Sequence, residues 1–197
     1  MERVTIAGAA TTDLESGVDA RMLTGSLGTT DVAINHYRIR PGEGFPGGLH
    51  AHLDQEEVFV VLEGEATFQT LEETVTVEAN EAIRFGPGEF QTGRSEAEGD
   101  LVAIAIGAPR DTDETRVPVA CPDCGHDDLR PAATDGDGDS NANVELACPA
   151  CGAVHVPRGC PECGRHEMTV VPGDDRRTIV VCPDCGVELD RPRFADR

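Results

Sequence analysis

Four copies of one five-residue unit punctuate the second half of the chain. They are Cys121-Pro-Asp-Cys124-Gly, Cys148-Pro-Ala-Cys151-Gly, Cys160-Pro-Glu-Cys163-Gly and Cys182-Pro-Asp-Cys185-Gly. All eight cysteines are used and none is left over. Two thiolates on one such turn reach a single metal ion, and the following Gly permits the tight backbone turn around the sulfurs. Any fold of residues 119 to 193 has to bring these turns together in sets.

Spacing suggests which turns pair. Twenty-three residues separate Cys124 from Cys148 and 18 separate Cys163 from Cys182, but only eight lie between Cys151 and Cys160. Each long interval has a hairpin pattern, and the clearest is Met168-Thr-Val-Val-Pro, a polar tip, then Thr178-Ile-Val-Val-Cys. Turn, hairpin, turn resembles the zinc-ribbon plan. It implies two ribbons in tandem, 119–156 and 157–193, each with one structural Zn²⁺ on Cys121, Cys124, Cys148 and Cys151 or on Cys160, Cys163, Cys182 and Cys185. Pairing the outer two turns with each other, and the inner two likewise, stays open at this point. A ribbon of under about 40 residues lacks a sufficient hydrophobic core, so the metal must supply much of its folding energy. Four thiolates close a tetrahedral shell, so these ions would be structural. His126, His155 and His166 are then neighbours of the turns rather than ligands.

Residues 1–109 are different in kind. They hold no Cys and five of the six Phe. Short β-prone runs occur at 31–40, 57–62, 66–71, 73–78, 82–85 and 101–106, broken by Gly- and Pro-containing turns. That pattern predicts an all-β sandwich or barrel. Thr12 to Leu23 is the one helix candidate. Residues 110–118, charged and ending in Pro, read as a linker.

One segment of this half carries chemistry. Gly44, five residues, His50-Ala-His52, four residues, Glu57, six residues, Gly64 fall at fixed intervals. In an extended chain, side chains at i and i+2 share a face, so His50 and His52 point the same way. Glu57 has the parity of Phe59 and Val61 on the next strand and can converge on the same point. Two imidazoles and a carboxylate suit Fe, Mn, Ni, Cu or Zn. The segment resembles the first motif of the cupin superfamily, which implies an N-terminal jelly-roll β-barrel and a metal site at His50, His52 and Glu57. The superfamily's second motif is matched imperfectly by Asn80, then Gly86-Pro87-Gly88, then Gln91 and Ser95. Asn80 stands where that pattern has Gly, a mild change because Asn tolerates left-handed backbone. Gln91 stands where it has a third histidine. An amide oxygen is a weak, hard donor, so Gln91 either completes a looser metal shell or hydrogen-bonds a ligand or water. The resemblance embraces binding and regulatory proteins as well as oxygenases and isomerases, and it implies a homodimer.

Charge bounds the partners. The chain has 16 basic residues, all Arg, against 37 acidic ones, a net −21. Acid excess with no Lys resembles proteins of salt-loving archaea, where molar salt screens self-repulsion. No run approaches the ~18–20 apolar residues of a membrane span, and the N-terminus has no secretory pattern, so a cytoplasmic protein is expected. Residues 111–197 hold 18 acids and nine Arg, a net −9. Nucleic-acid binding would rest on Arg176, Arg177, Arg191, Arg193 and Arg197 alone, without aromatics to stack bases. Protein docking through the ribbons is the better expectation. Asp135-Gly-Asp137-Gly-Asp139 begins like a calcium loop, but Ser140 and Leu146 stand where such a loop needs Gly and Glu. Three functions follow: a small-molecule-binding or sensing protein, a metal-dependent enzyme, or a nucleic-acid-associated regulator.

Overall fold

The computed structural model describes residues 1–13, 18–132, 145–173 and 178–195. The acidic hairpin tip with its calcium-like pattern, and Arg176, Arg177 and Arg197, lie outside the described residues.

The first half is built from β1 (Ala10–Asp13), β2 (Val18–Met22), the short helix α1 (Leu23–Leu27), β3 (Ala33–Ile39), β4 (Ala51–His52), β5 (Glu56–Glu63), β6 (Glu65–Thr70), β7 (Thr74–Glu78), β8 (Ala82–Phe85), β9 (Gln91–Arg94) and β10 (Leu101–Ala108). A six-stranded sheet in the order β1-β2-β3-β10-β5-β8 faces a three-stranded sheet in the order β7-β6-β9. All six expected strands are present. The helix expected over 12–23 is not. β1 and β2 pair antiparallel, Ala10 opposite Met22 and Asp13 opposite Asp19. β2 continues onto β3. Sheet pairing outweighs the weak helical propensity of this stretch.

The core lies between the two sheets. Phe59, Val61, Leu101 and Ala103 from one meet Ala66, Phe68 and Val77 from the other. Phe45, Phe59, Phe68 and Phe85 form an aromatic cluster with centroids 5.0–6.1 Å apart. Period-two alternation along β5 buries Phe59 and Val61 and turns Glu57 to the same side. The tight reversal after β7 uses Asn80 at φ 72°, the conformation its sequence position called for.

On the other face of β3, His36 is 8% exposed and its Nδ1 has no hydrogen-bond partner. Burial, then the Arg38 charge, holds its pKa below the ordinary value. The unfolded chain therefore binds a proton that the folded chain refuses. This contribution to stability is complete above the unfolded pKa of ~6.5 and is lost as pH falls below it toward the folded pKa. Urea midpoints at neutral and mildly acidic pH should show a steeper acid loss in the parent than in His36→Asn. Equal slopes would remove His36 from the account.

The second half holds β11 (Thr115–Arg116), then β12 (Arg130–Ala132), β13 (Glu145–Ala147) and β14 (Val154–His155), then β15 (Thr169–Pro172), β16 (Thr178–Val181) and β17 (Glu188–Leu189). β12-β13-β14 and β15-β16-β17 form two three-stranded sheets with the same neighbour order and antiparallel pairing. The turns repeat as well. In each, the Gly amide donates to the carbonyl of the first Cys, at 2.9–3.1 Å, with the Gly at φ 71–80°. The amide of that Cys in turn bonds the carbonyl five residues on, at 2.7–2.9 Å.

Residues 110–118, expected as a linker, are held against the barrel. β11 pairs with β4, placing Thr115 opposite His52 and Arg116 opposite Ala51. The buried Arg116 is ion-paired to Glu114 and to Asp128. Buried Gln55 donates to the carbonyl of Pro109 at 2.6 Å, and the Leu53 amide donates to that of Glu114 at 2.9 Å. A charged composition suggested solvent, but here the backbone completes a sheet edge and the one buried charge is paired.

Candidate metal sites in the barrel and the cysteine modules

Three strands deliver the barrel site. His50 is bridged to Gln91, the first residue of β9, by reciprocal backbone bonds of 2.9 and 3.1 Å. His52 ends β4, and Glu57 lies in β5 opposite Phe85. One ligand atom from each of His50, His52 and Glu57 lies within 4.8 Å of the others. His52 Nε2 is 3.8 Å and His50 Nε2 4.0 Å from Glu57 Oε2. The two imidazoles meet edge to face at 5.0 Å. Side-chain exposures of 15, 13 and 19% leave the group reachable from solvent.

Both imidazoles are oriented through Nδ1. The His50 Nδ1 lies 2.9 Å from the Gly48 carbonyl oxygen. A carbonyl only accepts, so Nδ1 carries the proton and Nε2 keeps its lone pair. The His52 Nδ1 lies 3.1 Å from Thr115 Oγ1 and 3.4 Å from Thr112 Oγ1. The Thr112 hydroxyl already donates to Asp54 Oδ1 at 2.5 Å, so toward His52 it can only accept. Again Nε2 is left as the free donor atom. That arrangement is how metal-binding histidines are normally held. The donors fit a first-row divalent ion: Nε2-to-oxygen separations are about half an ångström wider than the ~3.4 Å edge of a tetrahedron with 2.1 Å bonds. Burial lowers the His52 pKa and outweighs the Glu57 charge, which raises it, so the neutral, ligating form is favoured.

Gln91 is drawn into the same place. It is buried, and its Nε2 donates to Glu57 Oε2 at 3.0 Å. Tyr37 lies partly buried against the core, its ring edge-on to Phe45 at 5.3 Å. Burial and the Glu57 charge raise its phenol pKa. Sequence reasoning named the three ligands and Gln91 but not Gly48, Thr112 or Thr115, which orient them. Thr112 and Thr115 lie in the supposed linker, and no local motif marks them. A groove of about 540 Å³ lies elsewhere, between the β6–β7 hairpin and the second cysteine module.

The cysteines gather as the spacing suggested, each set spanning one of the two long hairpin intervals. Cys121, Cys124, Cys148 and Cys151 form one set, and Cys160, Cys163, Cys182 and Cys185 the other. Pairing of outer with outer and inner with inner turns is excluded. Sγ–Sγ contacts of 3.5–3.8 Å are far beyond a disulfide. They match the ~3.8 Å edge of a tetrahedron with metal–sulfur bonds of 2.3 Å. Burial alone would raise the Cys160 thiol, but the amides of Cys163 and Glu162 outweigh it and bring the pKa down to about 6. In the same way the Cys151 and Ala150 amides bring Cys148 down to about 7. Backbone dipoles thus favour thiolate at these two positions.

The two sets differ in one neighbour. His155 Nε2 lies 3.6 Å from Cys121 Sγ, its ring buried and packed on Phe194 at 5.1 Å. The register puts His155 opposite Leu146 and Leu189 opposite Val180, so Leu189 holds the equivalent place in the second module.

Residues 35–107 match the Cupin domain family. The matched stretch contains His50, His52, Glu57 and Gln91. No curated protein sequence matches the chain. Among solved structures, the chain is similar to a sugar phosphate isomerase of the cupin superfamily from Silicibacter pomeroyi, at 16% identity, covering 71% of this chain and 76% of that one, TM-score 0.46. It is similar to the TT1209 protein of Thermus thermophilus, at 21% identity, covering 56% and 100%, TM-score 0.47. It is also similar to a conserved protein with a double-stranded β-helix domain from Klebsiella pneumoniae, at 18% identity, covering 42% and 71%, TM-score 0.39. No helix among the described residues is long and apolar enough to cross a membrane.

Proposed function

We propose that this chain is a small-molecule-binding or sensing protein. Its cupin domain would hold one divalent metal on His50, His52 and Glu57, and its cysteine modules are zinc ribbons with one structural Zn²⁺ each. The observation that carries the reading is the fixing of both Nδ1 atoms, on Gly48 and on the Thr112–Thr115 hydroxyls, with both Nε2 atoms turned toward Glu57. Such preparation is unneeded for two histidines on a solvated strand. Three protein donors leave positions on the ion for an oxygen-bearing ligand. The Gln91 amide lies at the same point and is suited to hydrogen-bond that ligand. The ribbons, net acidic, suit protein docking better than nucleic acid. The acid excess without Lys would suit a halophilic cytoplasm, where dense salt screens its self-repulsion.

The open positions also favour a second reading, a metal-dependent enzyme acting by Lewis-acid or O₂ chemistry on a small oxygenated substrate. One experiment tests what both share. Protein purified in high salt should carry three metal ions per chain by elemental analysis, about two of them Zn²⁺ in the ribbons. The variant His50→Ala/His52→Ala should retain two. Equal metal content in parent and variant would sink the barrel-metal reading and the enzyme with it. Turnover with any metal restored to the parent would favour the enzyme over the sensor.

A further inference from the structure

We infer that the second ribbon is a working part of the barrel's metal site, because its strand β15 holds the loop that orients His50. This rests on the reading that His50, His52 and Glu57 bind metal.

The contact is specific. The Leu49 amide donates to the Val170 carbonyl of β15 at 2.8 Å. Leu49 is fully buried. Its neighbour Gly48 sits at φ +63°, and a Cβ there would lie 3.0 Å from Thr169 Cγ2 and 3.1 Å from the Val170 oxygen. β15 therefore lies flat against the backbone at 48–49, an approach that only glycine allows. The carbonyl of that same Gly48 fixes the His50 Nδ1 proton. Val170 also packs its side chain against the core around Cys121 and Cys148, and Thr178 of β16 donates to the Pro118 carbonyl at 2.9 Å. The second ribbon is thus pinned on both sides of β15. What keeps β15 a strand is its own small sheet, three strands closed by the Cys160 set.

The physical consequence is a coupling. When the Cys160 set loses its metal, β15 loses the fold that presents the Val170 carbonyl. The Gly47–His50 loop is then free to turn, and His50 no longer offers Nε2 to the site. His52 is held by Thr112 and Thr115 of the barrel-bound segment and stays in place. Loss of one ligand's orientation weakens a metal site by roughly ten- to hundredfold. The second ribbon in this way reports its metal occupancy to the barrel.

The test uses the full chain with Cys182→Ser/Cys185→Ser, titrated with Co²⁺. Sulfur-bound and nitrogen/oxygen-bound Co²⁺ differ in absorption, so the barrel site is read separately. Barrel affinity for Co²⁺ should fall roughly ten- to hundredfold. Amide hydrogen exchange should speed up at residues 47–52 while β6 and β7 stay protected. A second variant, Gly48→Ala, keeps every cysteine and should weaken the barrel site in the same direction, with partial rescue by adding Thr169→Ser, which removes the clashing methyl. Unchanged exchange at 47–52 after loss of the second ribbon's metal overturns the coupling. So does equal loss of protection across β6 and β7, which would mean general destabilisation. A parent chain that binds no Co²⁺ at the barrel refutes the metal reading itself, and the exchange data then decide the coupling alone.

Discussion

Stripping the metal from the cysteine modules should unfold residues 119–193 and leave the barrel folded. The two halves differ in what holds them. Among the described residues the barrel core contains eleven buried side chains, and six of them, Ile39, Val61, Ala66, Phe68, Leu101 and Ala103, are fully excluded from solvent. The corresponding cluster of the first module contains five, and two of those are Cys121 and Cys148. Three strands of two or three residues cannot close a core of their own. A structural Zn²⁺ contributes about 10–16 kcal/mol at neutral pH, comparable to the whole stability of a typical domain. Chelation at neutral pH in high salt, followed by circular dichroism and a zinc-release assay, should show two Zn²⁺ freed per chain. Protease cleavage should appear within 119–193, with a surviving cooperative transition from the barrel. Intact, protease-resistant modules after full release of metal would refute the structural role of the ion.

The substitution Gln91→His should tighten metal binding in the barrel by at least about tenfold, on the scale by which neighbouring groups alter metal affinity. Gln91 already stands in the right place. Its backbone is paired with His50 and its side chain reaches Glu57 Oε2 at 3.0 Å. Its amide nitrogen, however, donates a hydrogen to that carboxylate and so occupies a lone pair that a metal would use. A neutral imidazole at 91 would release the carboxylate and add a nitrogen donor of the kind first-row ions prefer. Calorimetric titration with Zn²⁺, Mn²⁺ or Co²⁺, in a chain whose ribbons are preloaded, measures the change. An unchanged or weaker affinity would show that position 91 does not face the ion, and Gln91 would return to a purely structural role.

Much of this was legible in the order of residues. The CPxCG units dictate their own turns, because Gly at the fifth place supplies the positive φ and the amide that bonds the first Cys carbonyl. The period-two pattern of β5 put Glu57 on the face of Phe59 and Val61, and the two-residue spacing of His50 and His52 put both rings on one side. These are local effects, decided within a few bonds, so a sequence expresses them directly. The β1–β2 pairing escaped because its short strands carry little periodicity and β2 is anchored on β3, a partner that no local pattern marks.

Tertiary structure alone decided what the histidines lean on. Thr115 reaches His52 across 63 residues of chain, and β15 reaches Leu49 from the far end of the protein. Residues 110–118 read as a linker because charge and Pro describe a segment's solvation, whereas its place is set by the unpaired edge of β4 that accepts it. Ligand identity and strand parity are properties of short stretches of sequence. His52 is oriented by a hydroxyl that folding brings from elsewhere, and the Gly48 carbonyl that orients His50, although only two residues away, is held in place by β15, so no spacing in the sequence encodes either orientation.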